Sequence, residues 1–223
     1  MIYNYQTVQN DPHSIINYPS FSERLRPRSI DELLISNQSI AKFNAMIKSK
    51  NVMNMIFYGS PGTGKTSCAN LIAKLSDLSA LYVNASLTNS VNDIRDEVEK
   101  YAVPRSLFGK TKIVLLDESD YLSKNAQASL RSVIERTTGN CRFILTANVL
   151  SKIDQALQSR CIPFCFEVPR SSINESIERL IGTIKNRLQE LNFEIDESKL
   201  RQIVVLKFPD YRAIANEIEF EFL

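Results

Sequence analysis

Eight consecutive residues, Gly59-Ser60-Pro61-Gly62-Thr63-Gly64-Lys65-Thr66, match the pattern G-x-x-x-x-G-K-[ST] in full. Glycines at this spacing let successive backbone N–H groups converge on a phosphate, and a following helix adds the partial positive charge of its first turn. Lys65 is placed to reach the β- and γ-phosphates of a nucleoside triphosphate, and the Thr66 hydroxyl to ligate Mg2+. A second group, Asp117-Glu118, ends the apolar run Lys112 to Leu116. Ligands of parallel sheets sit outside the carboxyl ends of the strands, so both carboxylates should face the phosphate loop. There Asp117 suits Mg2+ held through its water shell, and Glu118, one residue on, suits polarising an attacking water. Two acids often end a strand without such a role; the complete phosphate loop upstream gives this pair its functional reading. Asn148 ends a further apolar run and can both donate and accept a hydrogen bond toward a γ-phosphate.

The elements that must position these residues follow from the apolar pattern. Val52 to Tyr58 leads into the loop as a buried strand, and Ser67 to Leu75 leads out as a helix. Further strands are expected at Ala80–Asn84, Lys112–Leu116, Cys141–Thr146 and Cys161–Phe166. Helices alternate with them at Val91–Tyr101, Asn125–Thr137 and Asp154–Gln158. This alternation predicts an α/β fold with a parallel sheet flanked by helices. Upstream, Ser36 to Lys50 has the spacing of an amphipathic helix, with Ile40, Phe43 and Ile47 on one face. Pro27 disfavours helix at Arg26, so Phe21 to Pro27 is expected to be an extended arm followed by a short turn. Beyond Pro169 the pattern becomes wholly helical, at Ile173–Leu191, Glu197–Leu206 and Tyr211–Phe220. Residues 1–20 then read as a flexible leader, 21–169 as the α/β nucleotide-binding domain and 170–223 as a small helical lid.

Composition narrows the function classes. The 223 residues are 43% hydrophobic and 23% charged, as in ordinary globular proteins. No apolar run approaches a membrane span and residues 1–10 lack a signal-peptide core, so no membrane partner and no secretion are expected, and the cytoplasm or nucleus is. The net charge is +2, unevenly spread: residues 1–168 carry 19 Lys+Arg against 15 Asp+Glu (+4), residues 169–223 carry 8 against 10 (−2). Any nucleic-acid surface should therefore be local and lie in the first part. Cys68, Cys141, Cys161 and Cys165 form no C-x-x-C pair, and the sole histidine is the remote His13. Buried, reduced thiols are expected, with neither zinc nor histidine acid–base chemistry.

Several segments carry a family resemblance. Leu116-Asp117-Glu118-Ser119-Asp120, Ala126-Gln127-Ala128-Ser129-Leu130-Arg131, Thr146-Ala147-Asn148 and Leu157-Gln158-Ser159-Arg160-Cys161 resemble, in order and spacing, the small motor subunits of sliding-clamp loaders. These are AAA+ ATPases and include the replication factor C small subunits. Leu25-Arg26-Pro27 is similar to the family's Tyr-Arg-Pro arm beside the adenine, Asn84-Ala85-Ser86 matches the end of its second strand, and Phe208-Pro209-Asp210-Tyr211-Arg212 most resembles the T4-type phage version. The resemblance covers about residues 21–220 and implies an AAA+ P-loop fold, ATP and Mg2+. It also implies an oligomer of loader subunits, pentameric in the family, acting on a sliding clamp and primer–template DNA. By the same resemblance Asn148 is sensor 1, and Arg160 is an arginine finger reaching the γ-phosphate of a neighbouring subunit. Arg212 is sensor 2, and Arg26 flanks the nucleotide. Arg95, Lys124 and Arg131 are candidates for DNA phosphates, which give affinity without sequence reading. Gln127 resembles the coupler that relays DNA engagement to the catalytic site. Each of these charged residues could otherwise be an ordinary solvated side chain.

Two departures bear on that reading. Many relatives have an acidic–basic pair after Asn-Ala-Ser, whereas here Leu87-Thr88-Asn89 follows and Asn89 takes the basic position. Relatives also continue into a helical collar that holds the pentamer, whereas this sequence ends at Leu223, about where the lid would end. A chain without the collar is either a shortened one, or assembles otherwise, or has left clamp loading for an adaptor role with ATP-regulated partner binding and little turnover.

Overall fold

The computed structural model describes residues 21–87, 91–105 and 111–221. The expected leader, with His13, and the Asn89 position lie outside these residues. Five parallel strands form one sheet in the order β2-β3-β4-β1-β5: β1 (Met55–Tyr58), β2 (Ser79–Asn84), β3 (Lys112–Asp117), β4 (Cys141–Ala147) and β5 (Ile162–Cys165). The interior strands are continuous apolar runs because both of their faces are covered. Alternation along them separates two cores. Ile113, Leu115 and Ile144 join one cluster with Phe43 of α2 (Asn37–Ser49) and Cys68 and Ile72 of α3 (Lys65–Leu75). Val114, Leu116, Phe143 and Leu145 join the other, with Val98 of α4 (Val91–Ala102) and Leu130 and Ile134 of α5 (Lys124–Thr137). The result is the expected three-layer arrangement. Strand β1 begins three residues later than its apolar run, at Met55, although Val52 is buried.

The sheet order decides where chemistry can collect. Strand β4 lies between β3 and β1. The carboxyl ends of these three adjacent strands therefore gather the phosphate loop, Asp117-Glu118 and Thr146–Asn148 at one rim. Strands β2 and β5 are the two edges. Pro163 lies in β5, where a missing backbone donor is tolerated. At that edge Cys165 is exposed, contrary to the expectation of four buried thiols; Cys68, Cys141 and Cys161 are buried.

The C-terminal residues form three helices, α7 (Ile173–Glu190), α8 (Glu197–Lys207) and α9 (Tyr211–Glu221), after the single turn α6 (Gln155–Gln158) that precedes β5. Their shared core includes Leu180, Ile184, Leu200, Val204 and Ile214, all almost fully buried. Three residues of the N-terminal arm, Phe21, Leu25 and Leu34, complete it. The arm is not extended as expected. Phe21–Arg24 is a one-turn helix, α1, closed by Leu25 N–H donating to Phe21 O at 2.9 Å. Burial of Phe21 and Leu25 against the C-terminal helices outweighs the restriction imposed by Pro27, which acts only on Arg26. The short turn that follows is a 3-10 turn at Ile30–Glu32.

The arm is also fastened by polar groups. The Tyr211 hydroxyl donates to Leu25 O at 2.6 Å. Arg187, itself buried, pairs with Glu32 at 3.1 Å and with Glu190 at 3.2 Å, and Glu190 pairs with Arg28 at 3.1 Å. Arg179 donates to Ile35 O at 3.0 Å. Among the described residues no helix is long and apolar enough to cross a membrane.

Candidate functional site

The phosphate loop begins where β1 ends, and three of its glycines adopt positive φ: Gly59 at 139°, Gly62 at 74° and Gly64 at 95°. Gly62 needs to be glycine for a second reason. A Cβ there would fall on the Asp210 carboxylate and lie 3.0 Å from Asp210 Cα, just ahead of α9. Tyr211 N–H also donates to Gly62 O at 3.0 Å, so the first residue of α9 sits directly on the loop. Helix α3 opens at Gly64 without a side-chain cap, which leaves its first N–H groups to the loop's own cavity.

Lys65 is only 7% exposed. Its Nζ donates to Gly59 O and Ser60 O, each at 2.8 Å. An ammonium has three donors, so one is left for a phosphate. Burial lowers the Lys65 pKa below its ordinary value, opposed by the nearby carboxylates of Asp117 and Asp120. Thr63 tightens the same turn, its hydroxyl donating to Ser60 O at 2.8 Å.

Asp117 is the polar centre of the site. Its Oδ1 accepts the Thr66 hydroxyl at 2.8 Å and the Thr146 hydroxyl, and its Oδ2 accepts the Tyr82 hydroxyl at 2.6 Å. Burial and the Asp117 carboxylate raise the Tyr82 pKa, which keeps the proton on the phenol. Because the Thr66 hydroxyl donates its hydrogen bond to Asp117, its oxygen lone pairs remain for a cation. Thr66 and Asp117 are hard oxygen donors fitting Mg2+, whose remaining coordination positions nucleotide phosphates and water would fill. Among the described residues no cluster of three or more His, Cys, Asp or Glu offers a full protein cage for a metal.

Glu118 adopts the left-handed conformation, φ 55° and ψ 40°, unusual for a residue with a side chain. Thr146 Oγ1 holds it there by accepting Glu118 N–H at 3.0 Å, and Glu118 O accepts Tyr121 N–H at 3.0 Å. Thr146 thus fixes both acids at once. It was legible only as the start of Thr146-Ala147-Asn148; its role depends on β4 lying beside β3.

The cleft between the loop and the helical unit has a volume of about 340 Å3. Pro61 through Thr66, Asp117, Glu118 and Asn148 line it together with Arg26 and Arg212. Arg26 pairs with Glu23 of α1. The structure thus brings Pro61 through Thr66, both acids, Asn148, Arg26 and Arg212 around one cavity, while Gly59 and Ser60 meet it through their bonds to the Lys65 ammonium.

It does not bring Arg160 there. Arg160 precedes β5, whose first residue Ile162 pairs with Met55 at the amino end of β1, the end away from the phosphate loop. Its Nε donates to Glu135 of α5 at 2.6 Å, and its Nη1 donates to Ser159 Oγ at 3.2 Å and to Ala156 O. Burial, opposed by the Arg160 charge, pushes the thiol of neighbouring Cys161 up to about 12.

The three candidates for DNA phosphates lie on α4 and α5. Lys124 is the first residue of α5 and is exposed, and Arg131 is half-buried two turns on. Arg95 donates to Glu99 at 3.2 Å, and Glu99 also accepts Arg136 at 2.7 Å. Gln127 is buried, 3% exposed, and its amide joins three backbones. Its Nε2 donates to Leu122 O at 3.0 Å and Lys152 O at 3.1 Å, and its Oε1 accepts Asp154 N–H at 2.7 Å. It therefore ties the segment after Glu118 to the segment after Asn148.

Known proteins resemble this chain over most of its length. The mouse protein named replication factor C subunit 5 is 34% identical over 204 residues, 88% of this chain and 58% of its own length. The replication factor C small subunit of Archaeoglobus fulgidus is 31% identical over 216 residues, 91% of this chain and 64% of its own. The chain therefore spans about three-fifths of the length of these curated relatives. Among solved structures, the Thermotoga maritima RuvB Holliday junction branch migration motor superposes with a TM-score of 0.66 at 20% identity. It covers 86% of this chain and 63% of that one, and supports the fold alone. Residues 55–169, which run from the start of β1 to just past β5, match the family described as ATPase family associated with various cellular activities, and the chain belongs to that AAA family.

Proposed function

We propose that this chain is the motor portion of a clamp-loader-type ATPase, binding MgATP in its own cleft and hydrolysing it with a residue from a neighbour. Residues 21–169 act as the nucleotide-binding unit and 170–223 as its lid, with the arm's Phe21, Leu25 and Leu34 inside the lid core. Lys65 and the loop N–H groups hold the phosphates, with Arg26 and Arg212 adding positive charge to the same cleft. Thr66 and Asp117 hold Mg2+, which neutralises phosphate charge when bound. Glu118 accepts the proton side of the attacking water, and Asn148 orients it toward the γ-phosphate.

One observation supports the oligomer: Arg160 stands at the far end of the sheet from its own cleft, so any nucleotide it serves must be another copy's. Such a finger contributes on the order of 10³ or more in turnover. The named replication factor C relatives support the cellular task, loading a sliding clamp onto primer–template DNA. Lys124 and Arg131 on α5 meet DNA phosphates, Arg95 joins them when it leaves Glu99, and Gln127 transmits the contact to Glu118 through the Leu122 segment.

The test is the ATPase rate per chain against protein concentration, with and without primer–template DNA and a sliding clamp. The rate should climb with concentration, and further with DNA. A measurable rate that is independent of concentration and unaffected by Arg160→Ala would refute the trans-acting site.

A further inference from the structure

We propose that Tyr82 is a positioning residue for the magnesium site, fixing the plane of the Asp117 carboxylate from outside the cleft. The inference rests on the nucleotide-site reading above and extends it to a residue of the edge strand. Two carboxylate oxygens offer about four acceptor positions. On Asp117, Oδ1 is taken by Thr66 and Thr146, and on Oδ2 the described protein partner is Tyr82 at 2.6 Å. The torsion that turns a carboxylate about its Cβ–Cγ bond is broad, so contacts at Oδ1 alone leave Oδ2 free to swing. A donor on Oδ2 removes that freedom.

The strand register makes the contact possible. Asn84 of β2 pairs with Asp117 of β3 and Tyr82 pairs with Leu115. Tyr82 therefore lies two residues back on the face that Asp117 shares, a diagonal within reach of a long side chain. Asp117 O is held by the same strand, accepting Ala85 N–H at 2.9 Å. Tyr82 is 47% exposed, so its contribution is directional, through the hydroxyl, more than through burial. A group that hydrogen-bonds a metal-holding carboxylate tunes metal affinity, and its loss weakens binding about 10–100-fold.

The experiment compares wild type, Tyr82→Phe and Ser79→Ala over all 223 residues. Ser79→Ala removes a β2 hydroxyl contact of the same kind, to the Tyr101 hydroxyl at 2.8 Å, at the strand end away from Asp117. Binding of a fluorescent ATP is titrated in EDTA and then against Mg2+, Mn2+ binding is followed by electron paramagnetic resonance, and melting is recorded for each. Tyr82→Phe should require about tenfold more Mg2+ or Mn2+, with metal-free ATP affinity and melting near wild type. Ser79→Ala should leave the metal midpoint in place. An unchanged metal midpoint in Tyr82→Phe overturns the proposal, as does an equal shift in Ser79→Ala, since Tyr82 would then only latch the sheet edge. Failure of wild type to bind fluorescent ATP, or binding retained in Lys65→Ala, would overturn the nucleotide site itself.

Discussion

Gly62→Ala should push the C-terminal helices off the phosphate loop. The added Cβ lands on the Asp210 carboxylate and 3.0 Å from Asp210 Cα, and its residue must hold φ at 74°. The left-handed conformation costs about 1–2 kcal/mol with a Cβ. Displacement of α9 removes the 3.0 Å bond from Tyr211 N–H to Gly62 O, about 1 kcal/mol more. The docked arrangement thus loses roughly 2–3 kcal/mol before any residual overlap, or about 4–12 °C in melting temperature for a chain of this size. Asp210→Ala separates the causes. Alone it removes the Asp210 cap on Ala213 N–H, now 3.0 Å, at about 1 kcal/mol. Combined with Gly62→Ala it removes the carboxylate overlap and leaves the φ penalty, so the double variant should be less destabilised than the sum of the singles by about 1 kcal/mol or more. ATP affinity should follow the same pattern, because Arg212 enters the cleft on the helix that is displaced. Additive single effects, or Gly62→Ala melting with wild type, would refute a direct stop between loop and helix.

Other outcomes are expected of the same site. Glu118→Gln should bind ATP with wild-type affinity while its steady-state hydrolysis falls at least about 10²-fold, the range for losing a positioned general base. Arg160→Ala should retain ATP binding, lose turnover by about 10³-fold, and depress the rate of wild type when the two are mixed. In native protein near pH 8, iodoacetamide should modify Cys165 first, as read by mass spectrometry, because it is exposed. Cys141 and Cys161 are buried with pKa values pushed up to about 11 and about 12, so almost no thiolate is present. Stability should carry a Lys65 signature at high pH. Its folded pKa is lowered, so the unfolded chain binds the proton more tightly between that value and the ordinary 10.5. Wild type should therefore gain stability relative to Lys65→Met as pH rises through this window, measured by urea unfolding.

Much of this architecture is legible in the sequence. Strands of a parallel sheet announce themselves as short apolar runs, and β3 and β4 match theirs closely because both are covered on two faces. The loop and Asp117-Glu118 were readable because spacing along one chain segment fixes their chemistry. What escaped depends on neighbours far apart in sequence. Nothing near Tyr82 points to Asp117; that contact exists because β2 pairs with β3 in one register. Thr146 reaches Asp117 only because β4 lies next to β3. The helical turn at Phe21–Arg24 owes its form to a core contributed largely by residues beyond 170. The exposure of Cys165 follows from β5 being an edge, for which Pro163 was an available sign.

The arm's attachment has a mechanical consequence. The arm packs on both sides: Ile30, Leu33 and Ile35 join the sheet-side core, while Phe21, Leu25 and Leu34 join the core of the C-terminal helices. Arg187, bridging Glu32 and Glu190, and Arg179, bonded to Ile35 O, fasten the arm to those helices as well. Arg26 and Arg212, from opposite ends of the sequence, each follow a residue of that helical core, Leu25 and Tyr211, which are themselves joined by a hydrogen bond, so a shift of the core would move both guanidinium groups relative to a bound nucleotide together.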